Sequence, residues 1–172
     1  MHETTPVSAV QNLYNMLEWD CEKDVLPYCA EHGIGVVPFS PIASGFLSGK
    51  VTAYIKFEGD DVRKFVPQLQ KDNLFANQPV LDILNQYAAE NEATNAQVSL
   101  VWMLKKYPNI VPIPGSKNKE RILKNLGAWS VELTDGQFAR LEKALSSVKV
   151  YGHRGNEKSQ QKSFSHNWRT NA

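Results

Sequence analysis

The apolar positions of this chain fall into short continuous runs separated by stretches of helical spacing. Residues 7–14, VSAVQNLY, are rich in β-branched side chains and follow Pro6, which cannot extend a helix backwards, so a strand is expected there. Val25, Leu26 and Cys29 then recur at helical spacing, with Asp20 as the expected cap, Pro27 within the first turns and Gly33 as the stop. Residues 34–39, IGVVPF, form a short, nearly all-apolar run, the pattern of a strand buried on both faces in a parallel sheet. Residues 40–77 show little periodicity and contain Gly45, Gly49, Gly59 and Pro67; a loop that long in a compact domain is usually functional or mobile. Pro79 fits the first turn of a helix carrying Val80, Ile83, Leu84 and Tyr87 on one face. Thr94 or Asn95 can cap the next helix, whose rows through Val98, Val101, Trp102 and Lys105 end before Pro108. Residues 110–113 read as a third apolar strand closed by Pro114-Gly115, and a short helix follows at 119–126. Thr134-Asp135 caps a last amphipathic helix with Phe138, Leu141, Glu142 and Leu145.

Three strands separated by helices make βαβ units, so the class is α/β with parallel strands. Three parallel strands are a poor complete sheet, because both edges stay unpaired. A (β/α)8 barrel needs eight strands and roughly 250 residues. The expectation is therefore a partial TIM barrel, with backbone groups of residues 7–14 and 110–113 lying open and driving self-association. Residues 1–150 carry this folded part. Residues 151–172 have few apolar side chains and no period, and are expected to form a flexible polar tail. The tail sets Arg154, Lys158, Lys162 and Arg169 against Glu157, a weak basis for binding nucleic acid.

Composition narrows the classes without naming an activity. Of 172 residues, 42% are hydrophobic and 22% charged, as in a folded soluble domain. A formal net charge of +1 provides no field to gather nucleic acid or an anionic membrane. The longest apolar runs, 34–39 and 98–104, fall far short of the ~20 residues that span a bilayer. The first residues lack the basic region and apolar core of a secretory signal. Cys21 and Cys29, eight apart, form no metal or redox motif. No metal site is expected, and a cytoplasmic location is favoured over a disulfide-stapled secreted fold.

Three stretches could carry chemistry. In 111–125, VPIPGSKNKERILKN, a strand meets a Pro-Gly turn and then a helix whose first turn reads Ser116, Lys117, Asn118 and Lys119. A helix start favours an anion. Lys117, Arg121 and Asn125 recur at intervals of four, so one face would offer a point charge, a bidentate phosphate grip and an amide suited to a heterocycle edge. The competing reading is an ordinary solvated basic helix. In 36–50, VVPFSPIASGFLSGK, a strand runs into Ser40, Pro41, Ser44 and Gly45, small groups at a strand's carboxyl end, where α/β folds bind ligands. Phe39 could stack on a flat ring or could be a plain core aromatic. Gln11-Asn12, a polar pair within an apolar strand, needs partners if buried, supplied either by a ligand or by a neighbouring strand's side chains. Neither GxGxxG in the right context nor a Walker A sequence is present.

The segments VSAVQNLYN, GIGVVPFSPIASGFLSGK and VPIPGSKNKERILKNLGA, in that order, resemble the C-terminal portion of the aldo/keto reductases, from about Thr5 to Leu145. The resemblance implies a (β/α)8 barrel that binds NADPH across its C-terminal face and reduces carbonyls without a metal, with the three strands here as its sixth, seventh and eighth. It implies that Gln11 bonds the nicotinamide carboxamide and that Phe39, usually a tyrosine, stacks under the nicotinamide. Ser40, Pro41, Ile42, Ser44 and Gly45 match the loop around the pyrophosphate. Ser116 and Arg121 match the residues holding the 2′-phosphate, and Asn125 matches the asparagine at the adenine edge. Gly115 stands where many members have a lysine, leaving Lys117 to supply that cation, and Lys124 replaces the usual glutamate near adenine. No tyrosine or histidine of this chain stands in the motif of the family's Asp, Tyr, Lys and His tetrad, so no catalytic residue is assigned. The expectation is an NADPH-binding portion that starts mid-barrel, inactive alone and complemented by the missing N-terminal part. The alternative is a non-catalytic nucleotide-binding or self-associating remnant.

Overall fold

In the computed structural model, which describes residues 4–155, the first apolar run becomes the strand β1, Ala9–Leu13, and the second becomes β2, Gly35–Phe39. They pair in parallel, with Gln11 opposite Val37 and Leu13 opposite Phe39. Side chains alternate along a strand. Val36 and Pro38 are therefore buried against the helices, whereas Gln11, Val37 and Phe39 share the opposite, uncovered face. The expectation that 34–39 is buried on both faces is corrected to one face.

The expected third strand, 110–113, lies beside β2 without extending the ladder. It is joined by a parallel bridge between Val36 and Ile110. Val36 N–H donates to the Asn109 carbonyl at 2.8 Å, Val111 N–H to the Val36 carbonyl at 2.8 Å, and Ile113 N–H to the Pro38 carbonyl at 3.2 Å. The bond that would continue the ladder needs an amide on Pro38, which has none. The described sheet thus has two strands, corrected from three. With Val111 and Ile113 bonded toward β2, the alternate positions Pro112 and Pro114 face the outer edge.

The helix after β1 starts later than the apolar spacing predicts. Asp20–Glu22 is a single 3-10 turn, and α1, Val25–Glu31, is capped by the Asp24 carboxylate, which accepts from the Val25 amide at 2.8 Å. A helix begun at Asp20 would place Pro27 in its interior, where the ring clashes and the missing amide breaks a bond. Starting at Val25 puts Pro27 in the first turn, where no amide is needed. The long 40–77 segment contains 3-10 turns and a six-residue helix, α2, Lys71–Ala76, with Phe46, Leu47, Val51, Leu69 and Leu74 packed into the core. Then come α3, Gln78–Glu90, with Pro79 in its first turn, and α4, Asn95–Lys106. These are followed by α5, Lys119–Leu126, and α6, Asp135–Ser146. Thr94 and Thr134 each form a reciprocal capping box with the glutamine three residues on.

The core centres on Trp102 of α4, whose ring lies 5.4 Å from that of Tyr14 and 5.9 Å from that of Trp19. Lys106 sits 4.6 Å from the Trp19 ring centre and pairs with Glu22 at 2.8 Å and Glu142 at 2.7 Å. This joins the 20–22 turn, α4 and α6 through one half-buried ammonium. Residues 151–155 also pack against the domain, while the remainder of the expected flexible tail, 156–172, lies outside the described residues. No helix among the described residues is long and apolar enough to cross a membrane.

Both cysteines are buried free thiols, and burial pushes the Cys21 thiol up to about 12. The thiolate is the reactive species. In the native chain at mildly alkaline pH, neither cysteine should react with a thiol-selective reagent, and both should react once denatured. Rapid labelling of the native chain, read by mass spectrometry, would contradict the packing described.

Candidate functional site

The strand ends bring the candidate residues to one side of the sheet. Gln11 is exposed on β1, and Phe39, the last residue of β2, lies half-buried on the same face two register positions along. The chain leaves β2 in a strained turn. Ser40, Ala43 and Ser44 have φ of 54°, 45° and 56°, and Gly45 has φ of 100°. Non-glycine residues in the left-handed region cost of order 1 kcal/mol or more each, and such geometry persists only where neighbours enforce it.

The enforcing contacts are identifiable. Ser40 Oγ accepts from the Ser44 amide at 3.2 Å, and the Ser40 carbonyl accepts from Asn15 Nδ2 at 3.0 Å. Ser99 Oγ, from buried α4, donates to the carbonyl of buried Pro41 at 3.3 Å. Ser48 Oγ donates to the Gly45 carbonyl at 2.6 Å, and Ile42 packs against the core. A Cβ at Gly45 would lie 3.2 Å from Val51 Cγ2, in a conformation that L side chains rarely adopt. Asn15 and Ser99, both fully buried, are the positioning residues missed in the sequence. Their only local signal is a polar residue set among apolar ones.

At the other loop the helix spans 119–126 as expected, but Ser116, Lys117 and Asn118 do not form its first turn. Asn118 caps α5 by accepting from the Arg121 amide at 3.0 Å, and Ser116 Oγ accepts from the Asn118 amide at 3.1 Å. Ser116 and Lys117 therefore precede the helix. The expected single face of Lys117, Arg121 and Asn125 reduces to Arg121 and Asn125, because only these lie one turn apart on α5. Arg121 and Lys117 are exposed, and neither has an ion pair among the described residues. A side chain at Gly115 would meet open space. The structure thus brings Gln11, Phe39 and the 40–45 loop together on adjacent strands, and sets 115–125 after the neighbouring run at 110–113.

The aldo/keto reductase family model matches residues 1–146. The chain belongs to the aldo/keto reductase family. An aldo-keto reductase of Schizosaccharomyces pombe, yakc, whose name carries NADP(+), is 33% identical over 152 residues, covering 87% of this chain and 45% of its own length. Among solved structures, a glycerol dehydrogenase from Gluconobacter oxydans matches 84% of this chain and 44% of its own with a TM-score of 0.75 at 24% identity. An aldo/keto reductase from Klebsiella pneumoniae in complex with NADP and acetate matches 86% of this chain and 43% of its own, with a TM-score of 0.56 at 21% identity. The chain thus spans less than half the length of the curated aldo/keto reductases it matches.

Proposed function

We propose that this chain carries the NADP(H)-binding strands six to eight of an aldo/keto reductase barrel. The observation that carries the reading is one shared placement. Gln11 and Phe39 lie on the uncovered sheet face, and the loops 40–45 and 115–121 leave the carboxyl ends of neighbouring parallel runs. The residues present suit such a ligand. Small side chains on a left-handed backbone let an anionic group come close at 40–45, and Arg121 and Lys117 are cations not committed to a carboxylate among the described residues. The NADP complex of the Klebsiella pneumoniae relative and the NADP(+) in the name of the Schizosaccharomyces pombe one support the cofactor class.

In this reading Gln11 orients the carboxamide, Phe39 supports the nicotinamide ring, and Ser40, Pro41, Ile42, Ser44 and Gly45 wrap the pyrophosphate. Ser116, Lys117 and Arg121 hold the 2′-phosphate, with Gly115 leaving room beside it, and Asn125 meets adenine. Bound NADPH would supply hydride for carbonyl reduction. Tyr14 is not a proton donor here, because its hydroxyl is buried and donates to Glu22 at 2.6 Å. With no tetrad residue assigned, the chain alone should bind cofactor without turnover. Calorimetric titration with NADPH and NADH tests the site, with tighter NADPH binding expected and equal affinities overturning it.

A second reading, self-association, draws on specific exposed surface. The apolar face of α5, with Leu123 and Leu126, lies open beside Trp129, which is 84% exposed, and Val111 and Ile113 are exposed on the run beside β2. Contiguous exposed apolar surface favours association. Sedimentation at micromolar concentration should show a dimer or larger species, or complementation by a polypeptide carrying the remaining strands. A compact, stable monomer would count decisively against this.

A further inference from the structure

The segment beyond α6 returns to the 67–77 stretch and fastens there through few but specific bonds. Tyr151 and the fully buried Asn77 exchange two of them: Asn77 Nδ2 donates to the Tyr151 carbonyl at 2.9 Å, and the Tyr151 amide donates to Asn77 Oδ1 at 2.8 Å. Two residues on, the Gln68 amide donates to the His153 carbonyl at 3.3 Å. Between them Gly152, at φ 70°, lies so close that a Cβ would sit 2.8 Å from Asn73 Nδ2, 2.9 Å from Gln68 N and 3.0 Å from Pro67 C. Two of those three atoms are backbone, so no side-chain movement could relieve the overlap.

The same segment reaches the turn after β1. Glu18 Oε1 accepts from the Arg154 amide at 2.7 Å and from Gln68 Nε2 at 2.8 Å. Glu18 and Asn15 are bridged through their backbones at 2.9 and 3.3 Å, and Asn15 Nδ2 holds the carbonyl of left-handed Ser40. A contiguous set of hydrogen bonds therefore runs from Arg154 through Glu18 and Asn15 to the first residue of the strained 40–45 turn.

We propose that residues 151–155 form a releasable latch, whose docking on Asn77, Gln68 and Glu18 holds both the 62–77 segment and the strained turn at Ser40 in place. Release is built in, because docking has a cost. Among the described residues His153 Nε2 and Arg154 Nε are buried without a hydrogen-bond partner, and each loses hydration that undocking restores. Burial likewise raises the pKa of the Glu18 carboxyl, opposed by the bonds from Arg154 and Gln68, with Asp20 adding like-charge repulsion. A few bonds offset by buried unpaired nitrogens and a desolvated carboxylate make a local equilibrium rather than a permanent clasp. The consequence for ligand binding rests on the reading of 40–45 as the pyrophosphate loop.

Hydrogen exchange followed by mass spectrometry on the full chain without cofactor tests the latch through two variants of opposite sign. Gly152→Ala should speed exchange over 40–49 and 62–77 by roughly tenfold or more while α4 keeps its protection, because only the latch is displaced. Glu18→Gln keeps the accepting oxygen and removes the buried charge, so it should slow exchange in the same peptides. Either result alone supports the latch, and the second stands even where Gly152→Ala fails to fold. Exchange in those peptides unchanged in both variants, or loosening spread equally into α4, overturns it. NADPH dissociation followed in parallel separates the two ideas. Faster release from Gly152→Ala supports both, whereas loosened loops with an unchanged rate leave the latch standing and count against the cofactor assignment of 40–45.

Discussion

A Trp102→Ala chain is expected to lose about 3–5 kcal/mol of stability and to melt on the order of 10 °C lower. Three separate losses combine at this position. The indole is fully buried, so its removal takes away apolar transfer energy and leaves a cavity among close-packed neighbours. Its ring contacts with Tyr14 and Trp19 disappear as well. Its N–H donates to Glu142, whose other oxygen pairs with Lys106, so the truncation also leaves a part-buried carboxylate short of one donor. Trp102→Phe keeps an aromatic ring and forfeits mainly the donor, so it should cost clearly less. Chemical denaturation of the two variants separates these contributions. A loss below about 1 kcal/mol for Trp102→Ala would show that the aromatic centre is not what joins the helices to the sheet.

The second large effect concerns charge selectivity. Arg121→Ala should erase most of the preference for NADPH over NADH, a preference of roughly tenfold to a hundredfold if one charge-assisted contact to the 2′-phosphate is at work. Arg121 suits this role because its guanidinium is exposed, has no ion pair among the described residues, and rises from the first turn of a helix whose cap holds its own amide. Arg121→Lys should recover only part of the preference, since an ammonium cannot grip phosphate bidentately. Lys143→Ala, an exposed cation on α6, should leave the preference alone. Calorimetry with both dinucleotides decides it. An Arg121→Ala chain that still discriminates would move the phosphate site elsewhere.

What the sequence made legible was local. The capping boxes at Thr94 and Thr134 each lie within four residues, and α4 and α6 start where those threonines place them. Pro79 marked the start of α3 for the same reason. The misplacements were competitions between neighbouring signals. Asp20 and Asp24 are both good caps, and the choice fell to Asp24 because of Pro27. Ser116 to Asn118 read as a first helical turn, yet Asn118 caps α5 by accepting from the Arg121 amide, so the helix keeps only its 119–126 span. α2, with only six residues, is too short to display a period.

What could not be read was contact between distant residues. Gln11 and Phe39 could be nominated one by one, but the parallel register that sets them on one face appears only when β1 and β2 are paired. Asn15 and Ser99 support the 40–45 turn from 25 and 58 residues away, and nothing in their own surroundings marks them for that work. The docking of 151–155 was hidden for a different reason. Its bonds use main-chain groups and one glycine, so a segment poor in apolar side chains reads as unattached even when it is held.

The prolines beside β2 have an effect on how copies of this chain can stack. An exposed strand edge ordinarily recruits further strands, because each arrival finds alternating donors and acceptors and then presents the same row again. At 110–113 the outward positions include Pro112, and Pro114 follows, so a newcomer meets carbonyls where amides should be. Pro38 has already interrupted the row one strand further in. Whatever assembles on the exposed apolar surface can do so by face-to-face packing, which ends when the surface is covered, while the open-ended growth that leads to fibres finds no template along this edge.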